Sequence, residues 1–356
     1  MKKLKIVVYA ITKNEEKFVN RWVDSMSEAD EIYVLDTGSS DKTVKLLKKR
    51  GVNVFQKKYK EWRFDVARND SLKLVPNDTD LCVCTDLDEV FEVGWRKKLE
   101  ENYDGSTRVK YNYNWSLDEL NKPLVNFYIE KIHIRNGYKW THPVHEVLSP
   151  IGILEKTLII DDLTLNHYPD SLKSRSSYLP LLELSVKENP LDDRNMHYLG
   201  REYMYYGMWE KCISTLIKHL NLESATWKDE RCASMRFIAR SYKQLGRNDE
   251  AKLWYKKACE ESPYLREPFV ELAILYYQQN NWEKVIKYCL KAKKIKNKYK
   301  SYINEIFAWD NTLDDLLSIA YFNLGFKDEA LFYVKKALEE NPNDERLLKN
   351  KELMEL

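Results

Sequence analysis

The first half of the chain alternates short apolar runs with amphipathic stretches. Lys5-Ile6-Val7-Val8-Tyr9-Ala10-Ile11 is a β-branched, apolar run that predicts a central strand. Phe18, Trp22, Val23 and Met26 follow at helical spacing, with Thr12 and Asn14 as candidate caps. Glu31-Ile32-Tyr33-Val34-Leu35-Asp36 reads as a second strand, closed by the hydroxyl- and glycine-rich turn Thr37-Gly38-Ser39-Ser40-Asp41. A helix with Val44, Leu46 and Leu47 inward runs to Gly51, and Asn53-Val54-Phe55 is a short third strand. Leu81-Cys82-Val83-Cys84 reads as a buried strand that stops abruptly at Asp86, Asp88 and Glu89. Alternation of this kind argues for a mostly parallel sheet covered by helices.

Between residues 107 and 168 the period changes to two. Thr107 to Tyr113 and Asn126 to Ile134 both alternate, and their Asn and Tyr content suggests a wet surface. Leu163-Thr164-Leu165-Asn166-His167-Tyr168-Pro169 closes this part, so the boundary is placed at 170: an α/β domain over 1–170 and an all-α domain over 171–356. In the second domain four segments align, at Tyr206-Gly207-Met208-Trp209, Leu245-Gly246-Arg247-Asn248, Gln279-Asn280-Asn281-Trp282 and Leu324-Gly325-Phe326-Lys327. Gly246 to Asn280 is 34 residues, the tetratricopeptide period, and the other steps are 39 and 45. Helix ends are marked by Asn189-Pro190, Ser262-Pro263 and Asn341-Pro342. The reading is a tetratricopeptide-like solenoid with inserts near Glu223–Glu230 and Lys296–Asp310. Its concave face suits protein or peptide recognition; buttressing the first domain, or building a homodimer, stays open beside it.

Composition narrows the classes. Fifty-eight Lys and Arg against 56 Asp and Glu leave the chain near neutral, which counts against nucleic acid. The six cysteines form no C-x-x-C pair and sit among apolar residues, as reduced thiols do. The N-terminus has a signal-like start, but its apolar core is too short and lacks a small-residue cleavage site. No run approaches the ~18 apolar residues of a membrane span. The expected location is cytoplasmic. Lys291 to Lys300 carries six lysines in ten positions and reads as a solvated helix end.

Candidate chemistry gathers at strand ends. Thr12-Lys13-Asn14-Glu15, Asp36-Thr37-Gly38-Ser39 and Asp86-Leu87-Asp88-Glu89 would share the carboxyl edge of a parallel sheet, where ligands bind. Carboxylates there can hold a divalent cation on oxygen. No G-x-G-x-x-G follows the first strand and no Walker motif is present, so dinucleotide and P-loop chemistry fit poorly. Tyr138-Lys139-Trp140-Thr141-His142-Pro143-Val144-His145-Glu146-Val147 adds three ionisable groups beside a Trp. H-E-x-x-H is absent, so a zinc protease is not indicated.

Tyr9 to Glu16, Asp30 to Thr43, Phe64-Asp65-Val66-Ala67-Arg68-Asn69 and Thr85-Asp86-Leu87-Asp88-Glu89 together resemble the successive motifs of family 2 glycosyltransferases, in order and spacing. The resemblance covers roughly the first 170 residues. It implies a GT-A fold, a nucleotide-sugar donor (a UDP-sugar favoured), a divalent metal (Mn²⁺ or Mg²⁺) and inversion at the anomeric carbon. On this resemblance Ala10, Thr12 and Asp36 hold the base and ribose. Arg68 grips the diphosphate with Asn69 beside it, Asp86 faces ribose and metal, and Asp88 ligates the metal. The His145-Glu146 pair resembles an acceptor-side motif in which the carboxylate is general base, and Trp140 is a candidate platform for a sugar face. His167 is either a further metal or phosphate contact or a satisfied structural histidine. The expected function is sugar transfer to a peptide or protein side chain. A glycan or lipopolysaccharide-core acceptor, or a non-catalytic repeat scaffold, is the alternative.

Overall fold

Residues 3–170, 177–299 and 304–356 are described by the computed structural model; residues 1–2, 171–176 and 300–303, including Lys300 and part of the Lys296–Asp310 insert, lie outside them. The chain divides into two compact units, Met1–Ser185 and Val186–Leu356, where the hydrophobic pattern alone put the change at 170. The first unit runs β1 (Ile6–Thr12), α1 (Val19–Met26), β2 (Glu31–Asp36), α2 (Thr43–Lys49), β3 (Asn53–Gln56), α3 (Phe64–Leu74) and β4 (Leu81–Cys84). It continues with β5 (Glu89–Phe91), α4 (Trp95–Asn102), β6 (Arg108–Leu117), β7 (Pro123–Ile134), β8 (Tyr138–Thr141), β9 (Val147–Pro150) and β10 (Thr157–His167). Helix α5 (Tyr178–Glu188) crosses the division.

The main sheet has the order β3-β2-β1-β4-β7-β6-β10-β5. Strands β3, β2, β1 and β4 are parallel, so the carboxyl ends of β1, β2 and β4 do share one edge. Beyond β4 the sheet is mixed: β7 runs antiparallel to both β4 and β6, and β5 antiparallel to β10. Parallel neighbours need a long crossover, and after β4 the chain mostly returns through short turns. Alternation along the fully buried β1 sorts two cores. Ile6, Val8 and Ala10 pack with Trp22, Val23 and Met26 of α1 and Trp95 and Leu99 of α4. Val7 and Tyr9 face Leu72 of α3 and Tyr138, Trp140 and Leu148 of the β8–β9 hairpin.

One capping expectation is corrected. The α1 N-cap is Phe18, with no side-chain bond. Asn14 instead takes φ 56° and its Oδ1 accepts from Ser40 N at 2.7 Å, tying the first strand end to the second.

The second unit contains α6 (Asp193–Tyr205), α7 (Trp209–Leu220), α8 (Lys228–Gln244), α9 (Asn248–Glu261), α10 (Glu267–Tyr277) and α11 (Trp282–Lys294). A 3₁₀ turn at Ile306–Ala308, α12 (Thr312–Asn323), α13 (Lys327–Glu340) and α14 (Glu345–Glu355) follow. The four aligned segments are the turns inside four helix pairs. Each needs one left-handed residue, supplied by Gly207, Gly246, Asn280 and Gly325. The lysine run ends α11, and Lys293 Nζ binds Asp314 of α12 at 2.5 and 2.7 Å. All six cysteines are free and buried. Among the described residues no helix is long and apolar enough to cross a membrane.

Candidate active site

Two ion-paired clusters stand at the carboxyl edge of β4. Arg68, on the buried face of α3, is at the centre of the first and only 5% of its side chain is exposed. Its Nε donates to Glu146 Oε1 at 2.5 Å, its Nη2 to Asp86 Oδ1 at 2.7 Å, and its Nη1 contacts Cys84 Sγ at 3.4 Å. The guanidinium also lies 5.3 Å from the Trp140 ring. Burial opposes its charge, but Asp86, Cys84 and Glu146 outweigh burial and keep it protonated.

Lys131 of β7 closes the other side. Its Nζ donates to Asp86 Oδ2 at 3.2 Å and Glu89 Oε1 at 3.1 Å. Glu89 Oε2 accepts from Asp86 N at 2.8 Å, which fixes the turn after β4. Burial would raise Asp86, yet Arg68 and Lys131 hold it well below the usual carboxylate range. Glu89 moves the other way: burial pushes it up, and the neighbouring charges of Asp86 and Asp88 add to that despite Lys131.

Asp88 and His167 form the second cluster. Asp88 Oδ2 lies 3.5 Å from His167 Nε2, and Tyr168 N donates to the Asp88 carbonyl at 2.8 Å. His167 Nδ1 donates to Trp115 O at 3.0 Å, so Nδ1 carries a proton and Nε2 is the nitrogen turned toward Asp88. Such second-partner anchoring is how metal-binding imidazoles are oriented. Burial lowers the His167 pKa, but the bond to Asp88 reverses this and leaves it raised. Four carboxylates (Asp86, Asp88, Glu89, Glu146) around two cations (Arg68, Lys131) leave a formal excess of negative charge. Asp88 and His167 offer an oxygen and a nitrogen 3.5 Å apart, donor types that a divalent cation takes.

The β8–β9 loop is held in place by α3. Asn69 Nδ2 donates to Trp140 O at 2.8 Å and its Oδ1 accepts from Trp140 N at 2.9 Å. Phe64 N donates to Pro143 O at 2.9 Å. His142 and His145 both adopt positive φ, 76° and 49°, in the loop that presents Glu146. His145 stacks on Tyr178 with ring centres 5.7 Å apart.

Residues 7–148 match the family model of glycosyl transferase family 2. The first unit is a family 2 glycosyltransferase domain. Residues 237–264 and 316–344 match the tetratricopeptide repeat model, so the glycosyltransferase domain is followed by a repeat domain. A search of curated proteins gave no match. Among solved structures, a crystal structure of MamA aligns at 18% identity and TM-score 0.39, over 50% of this chain and 99% of that one. The Pseudomonas aeruginosa pilF structure aligns at 11% identity and TM-score 0.38, over 49% and 71%. The Thermus thermophilus protein TTC0263 aligns at 19% identity and TM-score 0.34, over 50% and 89%. These likenesses carry no functional argument.

Within this glycosyltransferase domain the structure brings Arg68, Asp86 and Glu146 together and pairs Asp88 with His167. Five of the side chains read as ligand contacts are engaged within the protein itself. Ala10 lies on β1 with its methyl group buried in the core beside α1. Asp36 is fully buried and its carboxylate accepts from Gly38 N, Ser39 N and Gln56 Nε2 at 3.1–3.3 Å. It shapes the loop from beneath. Asn69 is committed to the Trp140 backbone. Trp140 is 2% exposed and donates to Tyr9 Oη at 2.9 Å, so it offers no sugar platform. Arg68 is buried, with Nε and Nη2 on two carboxylates. Thr12 stays at its strand end, with Oγ1 lacking a hydrogen bond among the described residues.

Sequence reasoning missed Lys131 and Trp115. Lys131 sits in an alternating strand beside Ile132, with no motif to mark it. Trp115, 43% exposed, lies 6.4 Å from the His167 ring and is the open aromatic at this site. Position two residues after Tyr113 on an alternating strand was the available signal.

Proposed function

We propose that the chain is a metal-dependent, inverting glycosyltransferase that moves a sugar from a nucleotide-diphosphate donor, a UDP-sugar favoured, to a peptide or protein side chain. The observation that carries this reading is the single guanidinium of Arg68, which ties Asp86 of the acidic strand end to Glu146 of the β8–β9 loop. One site then contains a metal-side carboxylate and a candidate base. Asp88 and His167 would hold the divalent cation, Mn²⁺ or Mg²⁺, with Asp86 alongside. When bound, that ion neutralises charge developing on the departing diphosphate.

The chain's own residues divide the remaining work. Asp86, with a third of its side chain exposed, faces the ribose, while Thr12 is the strand-end hydroxyl left for the nucleoside. Trp115 offers a flat apolar face to the sugar. Glu146 has Oε1 fixed on Arg68, which orients Oε2 to take the proton from the attacking acceptor on the side opposite the diphosphate. Arg68 is a positioning residue: it sets the distance between metal side and base. The repeat domain supports a polypeptide acceptor, because stacked helix pairs present extended concave surfaces.

Turnover of nucleotide sugars with Mn²⁺ tests the reading. Asp88→Asn should remove turnover while the protein stays folded by circular dichroism. Undiminished turnover in that variant, or in excess chelator, would refute the metal role.

A further inference from the structure

His197 of α6, His219 in the last turn of α7 and Glu230 in the first turn of α8 converge where the first helix pair of the second unit meets the second. Both histidines are fully buried and Glu230 is 6% exposed. One donor atom from each residue lies within 4.8 Å of the others. Ser234 Oγ sits between the rings, 2.7 Å from His197 Nδ1 and 3.0 Å from His219 Nδ1. A hydroxyl oxygen can accept two hydrogen bonds, so with both Nδ1 atoms protonated Ser234 Oγ accepts from both rings and orients them.

That leaves His219 Nε2 facing Glu230 Oε1 across 3.4 Å. Nε2 makes no hydrogen bond among the described residues although it is buried. An imidazole nitrogen and a carboxylate oxygen bonded directly to each other would close to the ~2.7–3.2 Å of a hydrogen bond. A tetrahedral ion with bonds of about 2.0–2.2 Å instead holds neighbouring donor atoms roughly 3.3–3.6 Å apart. The separation matches the second case.

We propose that His197, His219 and Glu230 bind a divalent transition-metal ion of the zinc class. Imidazole nitrogens favour Zn²⁺, Co²⁺ or Ni²⁺ over Mg²⁺ or Ca²⁺. The hydroxyl of Ser234 is the outer partner that aims the rings. Since the ligands come from three helices in two successive repeats, the ion pins the first helix pair to the second. Its burial makes it structural, and it is separate from the Asp88–His167 cluster.

The test uses the full chain, stripped with chelator and titrated with Zn²⁺ alone, then with Co²⁺. Zinc should raise the melting temperature of the native chain and of Asp88→Asn alike. About one zinc per chain should remain after gel filtration of both. His219→Gln and Glu230→Gln should each bind at least about tenfold more weakly and lose the thermal shift. Co²⁺ should give the visible absorption of a four-coordinate nitrogen–oxygen site in the native chain and not in the variants. Glu230→Gln keeps the side-chain shape, so it decides the matter if His219→Gln fails to fold. No retained zinc in the native chain, or unchanged retention in folded Glu230→Gln, would overturn the proposal.

Discussion

Glu146 and His133 show how differently two buried ionisable residues can behave in this chain. Glu146 has one carboxylate oxygen clamped by Arg68, and replacing its charge without its shape tests the proposed proton transfer. Glu146→Gln should cut turnover by roughly 10²–10⁴-fold, while the donor dissociation constant from calorimetry stays unchanged. Equal loss of both would make Glu146 structural. His133 lies beneath the sheet surface, in a chain whose direction is fixed. Trp140 Nε1 donates to Tyr9 Oη, which donates to His133 Nε2, and His133 Nδ1 donates to Ile134 O at 2.7 Å. Burial pushes the His133 pKa down to about 3, with Arg108 and Arg135 adding to the shift. The unfolded chain therefore binds an extra proton between the ordinary value of 6.5 and about 3, and stability falls as pH drops through that window. His133→Gln should flatten this slope by up to about 1.4 kcal/mol per pH unit in urea unfolding at pH 4–6. An unaltered slope would mean another group carries it.

At the scale of elements, short helix pairs depend on close approach at a few positions. Gly200 of α6 is one: a Cβ there would collide with Cδ2 and Cγ of Leu216 on α7. Alanine would favour the helix by about 1 kcal/mol, but overpacking against a branched side chain costs about 1–3 kcal/mol. Gly200→Ala should therefore lower the melting temperature. In a Leu216→Ala background, where the space is open, the same change should raise it. Gly200 is missing from the motif-based reading because a glycine inside a helix looks like a weakness until its neighbour is known. The same is true of Asn69. Its place in an F-D-x-A-R-N motif suggested ligand chemistry, whereas its side chain mimics a strand partner for the Trp140 backbone.

For the whole molecule, two separate cores imply two folding units. The helical unit has its own buried clusters around Tyr255, Leu272 and Leu317, and around Val334 and Leu347. Residues 186–356 produced alone should keep helical circular dichroism and unfold cooperatively on heating. Loss of helicity would show dependence on the first unit. The sequence by itself determined the strand–helix alternation, the repeat turns with their left-handed residues, and the acidic end of β4. These are local: periodicity follows from side-chain direction, and turn chemistry from allowed backbone angles. Only the tertiary structure decided which charged groups meet. It paired Arg68 with both Asp86 and Glu146, put Lys131 against Glu89, and buried Asp36 and Trp140. It also brought His197, His219 and Glu230 from three helices to one point. Ion pairing and burial depend on distances between segments far apart in the chain, and no periodicity records those distances.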